Sequence, residues 1–347
     1  MSFKWLLICV PLGICLDFLS VNPLLVFIAS SLAIIPLAQL IGDATEEMSH
    51  CLGAAKGGLL NSTMGTVPDL IIGFFALQNG LIEMVKASIT GAIIGNLLFG
   101  LGLSILAGGI KNKAKLHYDR SVTHIYSSLL LLTTFGLIIP AVFEHSVESD
   151  TEISLTISII LLVIYISSVI FTLTNVDIND KNSLIDHDNE QSTASLFKIK
   201  PLIELVGAGI GLAIMSEIMT DAIGPTADRL GLSPIFAGVF LLAPIGMVSE
   251  LINTVRFSRE NKFDISLALT LGSSTQIGLL VAPLLVFMGL GIGQDMNLLF
   301  SKFEVIAIIL SVAAVNHILH LGSVSWVFGP KLIGIYFMLG IAFFNIP

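Results

Sequence analysis

The sequence predicts an all-α polytopic membrane protein of about eleven transmembrane helices, arranged as one N-terminal helix and two inverted five-helix repeats. Three observations predict it. The 347 residues are 54% hydrophobic and only 12% charged, with a mean hydropathy of +0.94; soluble domains carry roughly 25% charged residues. Apolar runs of about 20 residues, the length that crosses a hydrocarbon core, recur along the whole chain. A stretch of the first half also returns, in altered form, 181 positions later.

The apolar runs place helices at about 4–19, 22–48, 58–79, 84–109, 121–143, 153–174, 199–222, 234–257, 264–290, 302–321 and 326–346. The first run, Trp5 to Cys15 behind Lys4, reads as a retained membrane helix rather than a signal peptide. No small-x-small cleavage site follows it, and Asp17 stands before another long apolar run. Connections are short except at 175–198, where Asp177, Asp180, Asp186, Asp188 and Glu190 gather among Asn and Ser. The chain thus divides into an N-terminal helix (1–20), a first repeat (21–174), an acidic cytoplasmic linker (175–198) and a second repeat (199–347). A charge run of this kind is expected to be a solvated loop, and it lacks the residue order of an EF-hand.

Alternating through eleven spans, with the N-terminal side as side A, puts thirteen of the sixteen Lys and Arg on side A. Side B keeps Lys86, Arg229 and Lys302. The positive-inside rule makes side A, with the N-terminus, cytoplasmic. Short loops suit a bacterial inner membrane. The formal charge of −9 disfavours nucleic acid as a partner, which leaves the lipid bilayer and inorganic cations. Assembly with further copies of the chain stays open. Neither a GxxxxGK[ST] phosphate loop nor a GxGD or GxSG intramembrane-protease motif occurs, so no enzyme is expected. Cys9, Cys15 and Cys51 fit no disulfide framework or zinc site and read as small apolar residues.

Sliding residues 57–109 forward by 181 without a gap lays Gly65 on Gly246, Val67 on Val248 and Asp69 on Glu250. Glu83 falls on Asp264 and Gly91 on Gly272. The third and eighth spans differ by an odd number of crossings, so the matched helices run in opposite directions. Inverted repeats place their binding sites near the midplane between the halves. Asp69 and Glu250 both lie deep in apolar runs, where a carboxylate is costly unless it is protonated, hydrated or bound to a cation. Gly65 and Pro68 precede one acid, Pro244 and Gly246 the other. Such residues loosen a helix and free carbonyl oxygens for a hard cation. Two protonated acids hydrogen-bonded to neighbouring helices are the plain alternative.

The chain resembles the calcium/proton exchanger family over essentially its whole length. Gly57-Gly58-Leu59-Leu60-Asn61-Ser62-Thr63-Met64-Gly65-Thr66-Val67-Pro68-Asp69 is similar to that family's GGLLNATFGNAVE. Gly246-Met247-Val248-Ser249-Glu250 stands where the family has GNAAE. Asn261-Lys262-Phe263-Asp264, Gly272-Ser273-Ser274-Thr275-Gln276-Ile277 and Asp43-Ala44-Thr45-Glu46-Glu47 look like its NKMD, GSSxQI and NATEE elements. The resemblance implies a secondary antiporter without a cofactor. It would exchange a divalent cation, Ca²⁺ first, for protons by alternating access.

The metal-site residues it implies are Asp69, Glu250, Thr66 and Met247. On the paired fourth and ninth helices, Asn96 and Gln276 supply amide oxygens to that site or bridge helices, and Ser273 lines it or allows close packing. Glu46, Glu47 and Glu217 would line the path of cations or protons. Four departures stand out: Thr66 and Met247 replace Asn, Asp69 replaces Glu, and Leu251 stands where the family has a His after its second Glu. They leave open an exchanger of Mn²⁺ or Na⁺, or a cation-binding regulator that does not transport. Lys86 is expected to snorkel to the interface or to neutralise an acid such as Glu83. His317 and His320, three apart on one helix face, read as interfacial residues rather than metal ligands.

Overall fold

A computed structural model of the chain describes residues 3–19, 21–52, 60, 63–112, 115–143, 150–183, 199–320 and 322–346. Several expectations fall outside these residues: Gly57 to Leu59, Asn61 and Ser62 of the first signature, and Asp186, Asp188 and Glu190 of the linker. The described residues form eleven helices. A 3₁₀ turn, Phe3–Ile8, leads into α1, Cys9–Phe18. The others are α2 Pro23–Leu52, α3 Thr63–Gln78, α4 Ile82–Asn112, α5 Arg120–Phe143, α6 Asp150–Ser183, α7 Ile199–Leu230, α8 Pro234–Arg259, α9 Phe263–Ile292, α10 Lys302–Leu319 and α11 Phe328–Phe344. Eight are long and apolar enough to cross a membrane; α1, α3 and α11 are shorter apolar helices.

All eleven expected helices are present, with shifted ends. Helix α6 continues to Ser183, nine residues into the expected linker, because 175–183 holds no Gly or Pro to stop it. Helix α7 continues past 222 to Leu230 and ends at Gly231, whose φ of 65° needs a glycine. One feature was not foreseen at all: β1, Leu116–His117, pairs antiparallel with β2, Ser323–Val324.

Contacts between helix ends sort the connections into two groups, as alternating spans require. On side A, Asn112 at the end of α4 donates to the Ser258 carbonyl at the end of α8 (3.2 Å). There too, Tyr118 before α5 donates to the Ile318 and Leu319 carbonyls of α10. On side B, Arg229 in the last turn of α7 donates to Asn22 before α2 (2.7 Å), and Lys86 in α4 donates to Asn297 before α10 (3.0 Å). The Asn-Lys-Phe-Asp element belongs to side A and builds the turn there. Asn261 takes a left-handed φ of 62° after α8, and the Asp264 carboxylate accepts the Asp119 backbone N–H at 2.7 Å. Beside it, the Arg256 guanidinium hydrogen-bonds Glu260 and holds its carboxyl below the usual range.

Helices α2 and α7 pack along one another, while α3, α4, α8 and α9 form the centre. Glycines set their closeness. A Cβ on Gly91 of α4 would lie 2.6 Å from the Val239 Cα of α8, and one on Gly238 would overlap the Met84 carbonyl of α4. The α4 and α8 backbones therefore touch directly. Both helices, and α9, contain a π-turn: Gly95–Gly100, Gly238–Leu242 and Ile277–Val281. The first and third fall at repeat-related positions. A π-turn widens the helix by one residue and is frequent at functional sites.

Candidate cation site between the repeats

Helix α3 breaks its regular winding at Thr66 and resumes over Val67–Gln78, with Pro68 in its first turn. Proline is tolerated there because the first-turn N–H groups have no helical partner. Asp69 thus sits in the first turn of the resumed helix, where a helix N-terminus favours negative charge. Glu250 lies midway along the α8 segment Ala243–Arg259, which likewise begins with a proline, Pro244.

The two acids cross over. A Cβ on Gly65, beside Asp69's own segment, would come 3.3 Å from Glu250 Oε1, and one on Gly246 would overlap Asp69 Oδ1. Each carboxylate lies against the signature glycine of the other repeat, and the two are within electrostatic reach of one another. Bare Cα atoms let them come so close.

Their partners differ. Asn96, in the π-turn of α4, donates Nδ2–H to Glu250 Oε2 at 3.3 Å, and Ser273 of α9 hydrogen-bonds the same carboxylate. Asp69 accepts no hydrogen bond from the described residues. The structure therefore brings together Asp69, Glu250, Asn96 and Ser273. Gln276 is half-buried at the residue before the α9 π-turn.

Thr66 is fully buried and donates its hydroxyl to the Thr63 carbonyl at 2.9 Å, leaving its lone pairs to face other groups. Met247 is buried too, and its sulfur packs on Gly95, 2.7 Å from where a Cβ would stand. It fills the notch next to Asn96. Glu46 and Glu47 are exposed near the side-A end of α2, and Glu217 is exposed on α7. None of the three joins the central cluster.

Sequence reading missed other polar groups. Tyr165 of α6 shares a hydrogen bond with Thr63 (3.1 Å), tying a peripheral helix to the first signature. Glu304 of α10, 2% exposed, closes a capping box with Ser301 and accepts from Thr90 of α4 at 3.2 Å. The charge of Lys86 faces Glu304. The capping box Ser301–Glu304 was visible as an S-x-x-E pattern; the contact with α4 had no local signal. His320 packs its ring on His124 of α5, with centroids 5.7 Å apart, and both are exposed, as is His317.

Eleven helices with a carboxylate pair shared between two inverted halves define an integral membrane protein of the inverted-repeat carrier type. The chain belongs to the sodium/calcium exchanger protein family, whose model matches residues 22–174 and 200–345. It is 35% identical to a Ca(2+)/H(+) antiporter of Aphanothece halophytica, over 99% of this chain and 96% of that protein. The solved structure of native YfkE superposes with a TM-score of 0.86 at 30% identity, covering 100% of both chains. The H+/Ca2+ exchanger CAX shares the fold at a TM-score of 0.73, with 16% identity, over 97% of this chain and 90% of its own.

Proposed function

We infer that this protein is a secondary antiporter that exchanges Ca²⁺ for protons by alternating access. The observation that carries the reading is the crossed pair, Asp69 against Gly246 and Glu250 against Gly65. Two carboxylates this close in a low-dielectric interior repel when both are ionised, so they favour bound protons or a bound cation. A divalent cation balances both charges and displaces the protons. Re-protonation from the other side releases the cation and leaves a neutral site for the return step. Competition for one pair of oxygens couples the two fluxes without ATP.

In this reading Asp69 and Glu250 bind the ion, Asn96 and Ser273 orient Glu250, and Gln276 and Thr66 complete the oxygen shell. Met247 supplies packing rather than an oxygen, because its thioether is a poor ligand for Ca²⁺. Glu46, Glu47 and Glu217 draw cations toward the site. Ca²⁺ is preferred over Mn²⁺ or Na⁺, and transport over a silent regulatory role, because the relative 35% identical to this chain is named a Ca(2+)/H(+) antiporter. The N-terminus lies in the cytoplasm of a bacterial cell, on the inner membrane.

Purified protein in liposomes carrying an internal pH dye tests this. Adding Ca²⁺ outside is expected to make the lumen more alkaline as Ca²⁺ enters and protons leave. Ca²⁺ entry with no proton movement would refute the exchange reading.

A further inference from the structure

The side-A ends of α5 and α10 meet in a joint that the exchange reading does not use. His124 lies just over one turn into α5, and His320 follows the last residue of α10. Their rings meet edge to face, with centroids 5.7 Å apart and planes at 63°. Both side chains are exposed, and neither ring hydrogen-bonds a described residue.

The backbone around both residues is held from two directions. One turn deeper, the Ser127 hydroxyl donates to the Asn316 side chain and joins α5 to α10 directly. On the other flank, Tyr118 donates to the Ile318 and Leu319 carbonyls at 3.2 and 3.0 Å, and β1 pairs with β2. Ser128 donates to the His124 carbonyl at 2.8 Å. These contacts hold the two backbone positions and leave the rings to turn about χ2, a broad torsion in histidine.

We propose that His124 and His320 form a site for a first-row transition-metal ion of the Zn²⁺ class, which bridges α5 to α10 on side A, apart from the carboxylate pair. Two imidazoles that share one Zn²⁺, with Zn–N of about 2.0–2.1 Å, set their ring centroids about 5 Å apart. A small turn of either ring therefore brings a nitrogen of each onto one ion. The donor chemistry separates this site from the central one. Imidazole nitrogen suits Zn²⁺, Ni²⁺ and Cu²⁺, whereas Ca²⁺ and Mg²⁺ take oxygen ligands.

The two rings act without a third ligand of their kind. Among the described residues, no group of three His, Cys, Asp or Glu is arranged to hold a metal. His317, three residues earlier on α10, and His117 on β1 are exposed and stay outside the pair. Structural zinc sites are closed by four protein ligands. An ion held by two, with water in the other positions, is a reversible occupant, and what it adds is a tie between the ends of two helices.

Calorimetric titration of the purified full-length protein with Zn²⁺, in excess Ca²⁺, tests the site. The wild type should bind a Zn²⁺ whose Kd rises by at least about tenfold in His124→Gln and in His320→Gln alike. The double variant should lose no more than either single one, because both rings act on one ion. His317→Gln should bind Zn²⁺ as the wild type does. Any Zn²⁺ taken by the carboxylate pair is common to all four proteins and cancels, so the result does not depend on which ions that pair exchanges. Amide hydrogen exchange reads the bridge itself. Zn²⁺ should raise protection at the side-A ends of α5 and α10 in the wild type and not in His320→Gln. Losses that add in the double variant, an equal loss in His317→Gln, or protection that Zn²⁺ leaves unchanged would reduce the metal to an adventitious ion on single side chains and overturn the proposal. A wild type that binds no Zn²⁺ beyond what the variants bind would overturn it as well.

Discussion

Asp69 and Glu250 occupy equivalent places in the two repeats, yet the chain has furnished their surroundings differently. Glu250 is gripped by an amide and a hydroxyl from α4 and α9. At the mirrored positions around Asp69 stand Ile277 and Ala92, and Asp69 is also one methylene shorter than Glu. The glycine contacts differ too. Glu250 has 3.3 Å of room at Gly65, whereas Asp69 presses on Gly246 with no room for a Cβ. The pair is therefore one held carboxylate and one loosely furnished carboxylate, which suits an anchor for the cation beside a group that trades protons.

Removing either charge should have the largest effect. Asp69→Asn and Glu250→Gln are each expected to abolish Ca²⁺-driven proton movement in liposomes while leaving folded protein, since an amide neither balances a cation nor releases a proton. Wild-type flux in both would place the ion elsewhere. The glycines come next and sharpen the asymmetry. Gly246→Ala must displace the Asp69 carboxylate and should weaken Ca²⁺ binding by about tenfold or more, on the scale of an overpacked core. Gly65→Ala, with its looser contact, should cost less than about threefold. Equal losses in calorimetric titrations would remove the distinction.

The departures from the family signature give an effect in the other direction. Thr66→Asn, Asp69→Glu and Met247→Asn together restore three amide or longer carboxylate arms. The triple variant should bind Ca²⁺ more tightly by about 1.4 kcal/mol, a factor of about ten. Unchanged affinity would mean that the packing of Met247 on Gly95 has already adjusted the site. The smallest expected effect belongs to the periphery. Tyr165→Phe removes only the hydroxyl that meets Thr63, so it should destabilise the first signature by about 0.5–1.5 kcal/mol. A double cycle with Thr63→Val should be non-additive; additive losses would show that the bond is idle.

Much of this was legible in the sequence. The helices could be read because apolar runs of membrane length have no other use, and the crossed acids because a carboxylate in such a run is costly. The repeat offset even predicts that α4 and α9 meet the acids. The π-turns were not legible, since Gly95, Gly238 and Gly278 also suit plain close packing. Thr90 meeting Glu304, and Tyr165 meeting Thr63, join residues 214 and 102 positions apart with no local pattern to announce them. Helix ends slipped where Asn, Asp and Lys at 175–183 read as loop by polarity but contain nothing that breaks a helix.

The central claim is that one pair of carboxylates serves Ca²⁺ and protons in turn. Calorimetry of Ca²⁺ binding to the purified protein, repeated in buffers of different ionisation enthalpy, counts the protons released per ion bound. The account predicts proton release on Ca²⁺ binding that is lost in Asp69→Asn. Ca²⁺ binding with no proton release, or release that persists undiminished in that variant, would contradict it.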